Sequence, residues 1–168
     1  MVQFALAVGA FEMDEVLAAR KDANRHFPSK VRNICVPTTL SGAEFTYFAG
    51  GRNPRTMLKE PFSVPGILPA TLILDQKLAS STPQALWLSS GLRAMDHAVE
   101  ALSNPRMHPM GEVLAVEGMA RLHKGLTITH KDPADLEARR TSQYGGWFAA
   151  IGLMSGVPMG ISHAIGHV

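Results

Sequence analysis

Near the end of the sequence stands Gly160-Ile161-Ser162-His163-Ala164-Ile165-Gly166-His167. Two histidines four residues apart leave a helix from one side, so His163 and His167 could reach one metal ion or one substrate. Their apolar, glycine-rich setting would shelter both rings from water. A hydrogen-bonded pair of core histidines fits the same spacing. A second cluster lies in Gly91-Leu92-Arg93-Ala94-Met95-Asp96-His97-Ala98-Val99-Glu100, where Arg93, His97 and Glu100 share a helix face. His97 suits metal ligation or acid–base work. A solvated face with Arg93–Asp96 and His97–Glu100 pairs is the plainer reading, and spacing alone favours it. The third stretch is Pro37-Thr38-Thr39-Leu40-Ser41-Gly42-Ala43-Glu44. A strand that ends in such a loop can offer N–H groups and hydroxyls to phosphate or ribose, although most loops of this kind are only turns. His26, His108, His123 and His130 sit among polar or turn residues and read as surface histidines.

These groups need elements to hold them. Val2 to Val8 reads as a strand and Glu12 to Phe27 as an exposed helix. Val31 to Val36 and Ala70 to Leu74 are short apolar runs, hence buried strands, the second closed by Asp75. Phe45 to Phe48 and Thr56 to Lys59 suggest a hairpin across Gly50-Gly51-Arg52-Asn53-Pro54. From Thr82-Pro83 onward the pattern is helical, with Thr82 as N-cap and Pro83 as first helical residue. That helix runs to about Leu102, with Leu88, Leu92, Met95, Val99 and Leu102 as its apolar stripe. A second helix covers roughly Met110 to His123. A third starts at Asp132-Pro133 and runs to about Met154, and a fourth starts near Pro158. The expected order is α/β followed by all-α, with domains at 1–78 and 79–168.

The chain has 168 residues, 46% of them hydrophobic and 18% charged, with a net charge of +2. Such a chain is globular, and with no basic run it carries no footprint for nucleic acid or an anionic membrane. The low charge leaves room for an apolar surface that meets a missing domain or a partner, a homodimer among the candidates. One cysteine, Cys35, lies in an apolar run and reads as a buried core thiol in a reducing compartment. Met1 to Gly9 is apolar but short and without a basic leader, so the expected location is cytoplasmic.

Taken together and in this order, the three stretches resemble the iron-containing (group III) alcohol dehydrogenase family over about Val31 to Val168. Thr38-Thr39-Leu40-Ser41-Gly42-Ala43-Glu44 resembles the family's nucleotide-contacting loop. Lys59, with Pro65, Pro69 and Asp75 after it, resembles the segment that runs from a lysine near the nicotinamide ribose to the end of the nucleotide-binding domain. The run from Thr82 to Leu102 resembles the helix that opens the family's helical domain, and Gly160 to Val168 its histidine-bearing helix. The pattern is most similar to the maleylacetate reductase branch, truncated at both ends.

The resemblance implies a partial Rossmann-like nucleotide-binding domain, followed by the first helices of a dehydroquinate-synthase-like helical domain. It implies hydride transfer with NAD(H) or NADP(H), the cofactor contacted by Thr38, Thr39, Ser41, Gly42 and Lys59. His97 and His163 match two of the family's three histidine ligands. Arg93 stands where the family's metal-dependent members carry an aspartate, and a guanidinium cannot ligate a metal. No metal is therefore expected, with His97 and His163 the only ligands if one binds. Arg93 would instead hold a carboxylate of an oxo-dicarboxylate substrate, with His97 and His163 as hydrogen-bond donors and His167 as the acid. Val8-Gly9-Ala10-Phe11-Glu12 departs from the family's GGGS pyrophosphate loop. The implied activity is reduction of maleylacetate to 3-oxoadipate. The alternatives are a metal-dependent alcohol dehydrogenase of the same family and a non-catalytic truncated fragment.

Overall fold

Among the described residues strand pairing is sparse and helix packing dense. A computed structural model describes residues 33–52, 56–57, 59–63, 67–155, 157 and 160, and within 48–52, 59–63 and at 153 the backbone alone. The expected strand at 2–8 and the helices at 12–27 and from 158 lie outside the described residues. Two compact units are present: Met1–Cys35 with Ala43–Leu72, and Val36–Gly42 with Ile73–Val168.

In the first unit, β1 (Ile34–Cys35) pairs in parallel with β4 (Thr71–Leu72), Ile34 opposite Thr71 and Cys35 opposite Leu72. The two apolar runs do become strands, but they are not buried: Ile34 is 63% exposed and Cys35 partly so. The hairpin is real but displaced toward the C-terminus. A 3₁₀ turn over Ala43–Phe45 takes up Phe45. The strands are β2 (Phe48–Arg52) and β3 (Lys59–Ser63), antiparallel from Phe48–Ser63 to Arg52–Lys59. Gly50 and Gly51 thus belong to the ladder and not to the turn. Met57 carries the left-handed φ of 59° in the connection.

The second unit opens with a short helix, α1 (Gln76–Ala79). Asp75, expected only to close a strand, caps it by accepting from the N–H groups of Lys77 and Leu78. Three long helices follow: α2 (Gln84–Ser103), α3 (Pro109–Lys131) and α4 (Leu136–Ala149), then the single turn α5 (Ile151–Met154). The N-cap position of α2 is Pro83, not Thr82. The Thr82 hydroxyl donates to the Thr38 carbonyl instead, 2.7 Å away. Helix α3 extends past the expected His123 to Lys131, because Gly125, Leu126 and Thr129 carry its buried face one turn further. Helix α4 begins after Asp135, which accepts from the Ala138 N–H, while Asp132 turns the connecting loop. It ends at Ala149, short of the expected Met154.

The core differs most from expectation. Leu92 is 63% exposed and Val99 half-exposed, so the expected apolar stripe of α2 is only partly covered. The buried face is Trp87, Ser90, Gly91, Ala94, His97, Ala98 and Ala101. Small residues win this face because α2, α3 and α4 approach closely. A Cβ at Gly118 would lie 2.7 Å from the Ala149 nitrogen, and one at Gly145 would lie 2.8 Å from the Leu122 nitrogen. Leu40, Trp87, Leu122 and Leu126 fill the space between them. No described helix is long and apolar enough to cross a membrane.

Candidate functional site

The loop Pro37–Gly42 belongs to the helical unit, and the sequence shows how. Its one large apolar residue, Leu40, is buried in the helical core against Gly91 and Gly146. The Leu40 N–H donates to Ser90 Oγ at 3.1 Å, and the Thr38 carbonyl accepts from Thr82. A backbone N–H and a C=O that enter an apolar core need partners, and two hydroxyls of the α2 region supply them. Gly42 is buried at φ +73°, with Ala150 Cβ in van der Waals contact with the position its own Cβ would take. Only glycine holds that conformation without strain.

With Leu40 pinned inward, the polar side chains point elsewhere. Thr38 and Ser41 are exposed, and the Thr39 and Ser41 hydroxyls lie 3.1 Å apart in a mutual hydrogen bond. Lys59 is in β3, where only its backbone is described.

Helix α2 carries both the loop's anchor and the charged cluster. From Ser90 to His97 is about two turns, or about 10 Å along the axis. His97 is only 4% exposed. One turn before it, Arg93 pairs through Nη1 with Asp96 Oδ2 at 3.1 Å, both side chains about a quarter exposed. The expected Arg93–Asp96 pair therefore forms, but His97 is no member of a solvated face. His163 and His167 lie outside the described residues. His108, His123 and His130 are exposed, as expected. His108 also supports the fold: its Nδ1 accepts from the Gly111 N–H at the start of α3, and Nε2 meets Ser155 Oγ at 3.0 Å.

Among the described residues no three His, Cys, Asp or Glu side chains group as a metal site would require. Position 93 offers a guanidinium, already drawn to Asp96, beside the imidazole of His97.

Two buried polar residues escaped sequence reasoning. Arg139 of α4 is 1% exposed and donates to the carbonyls of Ala79, Thr82 and Pro133, with its guanidinium 4.6 Å over the Trp87 ring. It thereby fastens the segment that leads into α2. Gln143, one turn on, is also buried. An i, i+4 pair of long polar residues within a helix gives no signal that separates it from a surface pair.

The C-terminal model of the Fe-containing alcohol dehydrogenase family matches residues 87–168. The maleylacetate reductase of Pseudomonas sp. strain P51 is 34% identical over 134 residues, 80% of this chain and 37% of that protein. The chain belongs to the iron-containing alcohol dehydrogenase family. It spans 37% of the length of that curated relative. The crystal structure of maleylacetate reductase from Rhizobium sp. strain MTP-10005 matches with a TM-score of 0.74 at 33% identity, over 90% of this chain and 40% of that one. Sulfoacetaldehyde reductase from Bifidobacterium kashiwanohense, solved in complex with NAD+, matches with a TM-score of 0.79 over 89% of this chain and 40% of that one. At 23% identity that likeness establishes the fold alone. The family's matched members are oxidoreductases by name.

Proposed function

We propose that this chain carries part of the machinery of an NAD(P)H-dependent reductase of the maleylacetate reductase type. It would act on an oxo-dicarboxylate in the breakdown of aromatic compounds, in the cytoplasm. The observation that carries the reading is Arg93: a partly buried guanidinium one turn before the buried His97, where a metal ligand would otherwise stand. The relatives named maleylacetate reductase support it.

The residues present fit the cofactor. Gly42 holds the turn of the loop at φ +73°, and Thr38, Thr39 and Ser41 bring hydroxyls to the same loop. Lys59 would add a cation beside the ribose. NAD(P)H, when bound, supplies the hydride.

Arg93 would orient one substrate carboxylate in bidentate fashion. Its present partner is a poor competitor, because a partly exposed Arg–Asp pair is worth about 0–1 kcal/mol. His97 and His163 would donate hydrogen bonds to the substrate oxygen as negative charge develops there, and His167 would deliver the proton. These roles follow the family pattern residue by residue. The domain division at 78/79 and a homodimer are part of the same proposal.

Thermal melting with 3-oxoadipate, the expected product, tests the carboxylate role on this chain. The dicarboxylate should raise the melting temperature of the native sequence and leave that of Arg93→Ala unchanged. Losing a charge-assisted contact of about 1.5–3 kcal/mol weakens binding by roughly 10–150-fold. NADH binding, followed by nicotinamide fluorescence, should survive the substitution. Equal loss of both ligands would refute the assignment of Arg93. The second reading, a metal-dependent alcohol dehydrogenase, requires Zn²⁺ or Fe²⁺ to raise the melting temperature, and Arg93 opposes that result.

A further inference from the structure

Gln143 holds an amide that the fold leaves unmet. The residue is 3% exposed, and among the described residues neither Nε2 nor Oε1 has a hydrogen-bond partner. Exchanging the amide oxygen and nitrogen would leave both still unmet, so the choice of flip is not the cause. Trp87, fully buried, has an indole Nε1–H in the same condition. Buried donors and acceptors normally find partners, because an unmet one carries the full cost of its lost hydration.

Helix α4 relates the two groups through Arg139. Arg139, one turn before Gln143 on α4, lies with its guanidinium 4.6 Å over the Trp87 ring. Gly146, three residues after Gln143, meets Leu40, and Ala150 meets Gly42. The side of α4 that carries Gln143 therefore covers Trp87 at one end and the loop Pro37–Gly42 at the other.

We propose that Gln143 and Trp87 line an internal site that holds one ordered water molecule beneath this loop. The chemistry selects water. The indole needs an acceptor, and the amide needs both an acceptor and a donor. A water molecule offers both kinds of bond, and buried waters typically make about three. An anion has no proton to give the amide oxygen. A cation would face the positive charge of the Arg139 guanidinium, which donates to the carbonyls of Ala79, Thr82 and Pro133. The water adds to the directional support that the buried Ser90 hydroxyl already gives the loop. Its presence does not depend on what the loop binds.

The test is a water-selective rotating-frame Overhauser experiment on the ¹⁵N-labelled full chain. Trp87 Nε1–H and the Gln143 amide protons should both show cross-peaks of the sign that marks a long-lived water. The indole of Trp147, which is 42% exposed, provides the comparison with bulk solvent. Gln143→Met, similar in shape but apolar, should abolish the water cross-peak at Trp87 and lower the melting temperature by about 2–4 °C or more. Absence of either cross-peak in the native chain overturns the site, as does a Trp87 cross-peak that persists in Gln143→Met. Should Gln143→Met fail to fold, the native spectrum alone decides. None of these readouts involves NADH, so a failure here is distinct from a failure of the cofactor reading.

Discussion

Ser90→Ala removes one oxygen atom and should loosen the loop Pro37–Gly42. Ser90 Oγ accepts the Leu40 N–H at 3.1 Å and donates to the Trp87 carbonyl at 3.0 Å, inside the core. After substitution the Trp87 carbonyl keeps its place within the helix. The Leu40 N–H does not, because it enters a region walled by Leu126, Gly91 and Gly146. A buried donor left unmet costs about 1–3 kcal/mol. For a chain of this size that corresponds to a fall in melting temperature of roughly 2–12 °C, at about 2–4 °C per kcal/mol. The loop can avoid part of the cost by lifting Leu40, which forfeits burial of a leucine side chain worth about 1.5–3 kcal/mol. Lifting Leu40 moves Thr38, Thr39 and Ser41 with it. Calorimetry with and without NADH reads both consequences, and affinity for NADH should drop along with stability. Ser90→Thr, which keeps the hydroxyl, should recover most of the NADH affinity. A melting temperature within 1 °C of native would refute the reasoning (about 1 °C is half of the smallest expected shift).

Three further perturbations are equally definite. Gly125→Ala would place a Cβ 2.7 Å from the Ala138 carbonyl oxygen, and overpacking of this kind costs about 1–3 kcal/mol, read as a lower denaturant midpoint. Arg139→Lys keeps the charge but replaces a planar fork that reaches the carbonyls of Ala79, Thr82 and Pro133 with a single ammonium. It should lower the melting temperature, and a value equal to native would show that charge alone suffices. Burial raises the Glu44 carboxyl above its ordinary 4.5, only partly opposed by a backbone hydrogen bond. A folded value above the unfolded one means that Glu44 favours folding most at pH below 4.5 and progressively less as pH rises through its raised value. Glu44→Gln should therefore stabilise the chain at pH 7 relative to native and lose that advantage near pH 4, in melting curves across the range. An advantage independent of pH would mean that packing, and not ionisation, was responsible.

Periodicity reported the helices of this chain well and their packing faces poorly. Leucine, methionine and valine at 88, 92, 95, 99 and 102 form a regular stripe, yet Leu92 and Val99 remain exposed. Hydrophobic spacing measures where apolar surface lies along one helix. It contains nothing about how close the neighbouring helix comes. Here Gly118, Gly125 and Gly145 bring α3 and α4 into backbone contact. Alanine, serine and one histidine then occupy the inner side of α2. The termini were missed for a related reason. Thr82 and Asp132 both carry good capping side chains before a proline, but Thr82 is claimed by the Thr38 carbonyl, 44 residues away in sequence. A local cap rule cannot see a distant competitor. In the hairpin, Gly50-Gly51 resembled a turn because glycine tolerates turns, although the ladder there pairs Gly50 with Pro61 and Gly51 with Glu60.

Candidate site residues were easier to single out than core residues because chemistry restricts residue type more tightly than packing does. Arg93, His97 and the Thr38–Gly42 loop could be picked out by what their side chains can do. Their coupling was hidden in two unremarkable residues, Ser90 and Leu40. Leu40 looks like a stray apolar residue in a polar loop. In the structure it is the peg that seats the loop on α2, and Ser90 satisfies the one N–H that the peg carries inward. The anchor at Ser90 and the imidazole at His97 are on one continuous helix. A cofactor held by the loop would keep its distance from His97 through the rigidity of about two helical turns. That arrangement requires no contact between the loop and the charged cluster. It also explains why Pro37–Gly42, contiguous in sequence with β1, groups in space with the helices.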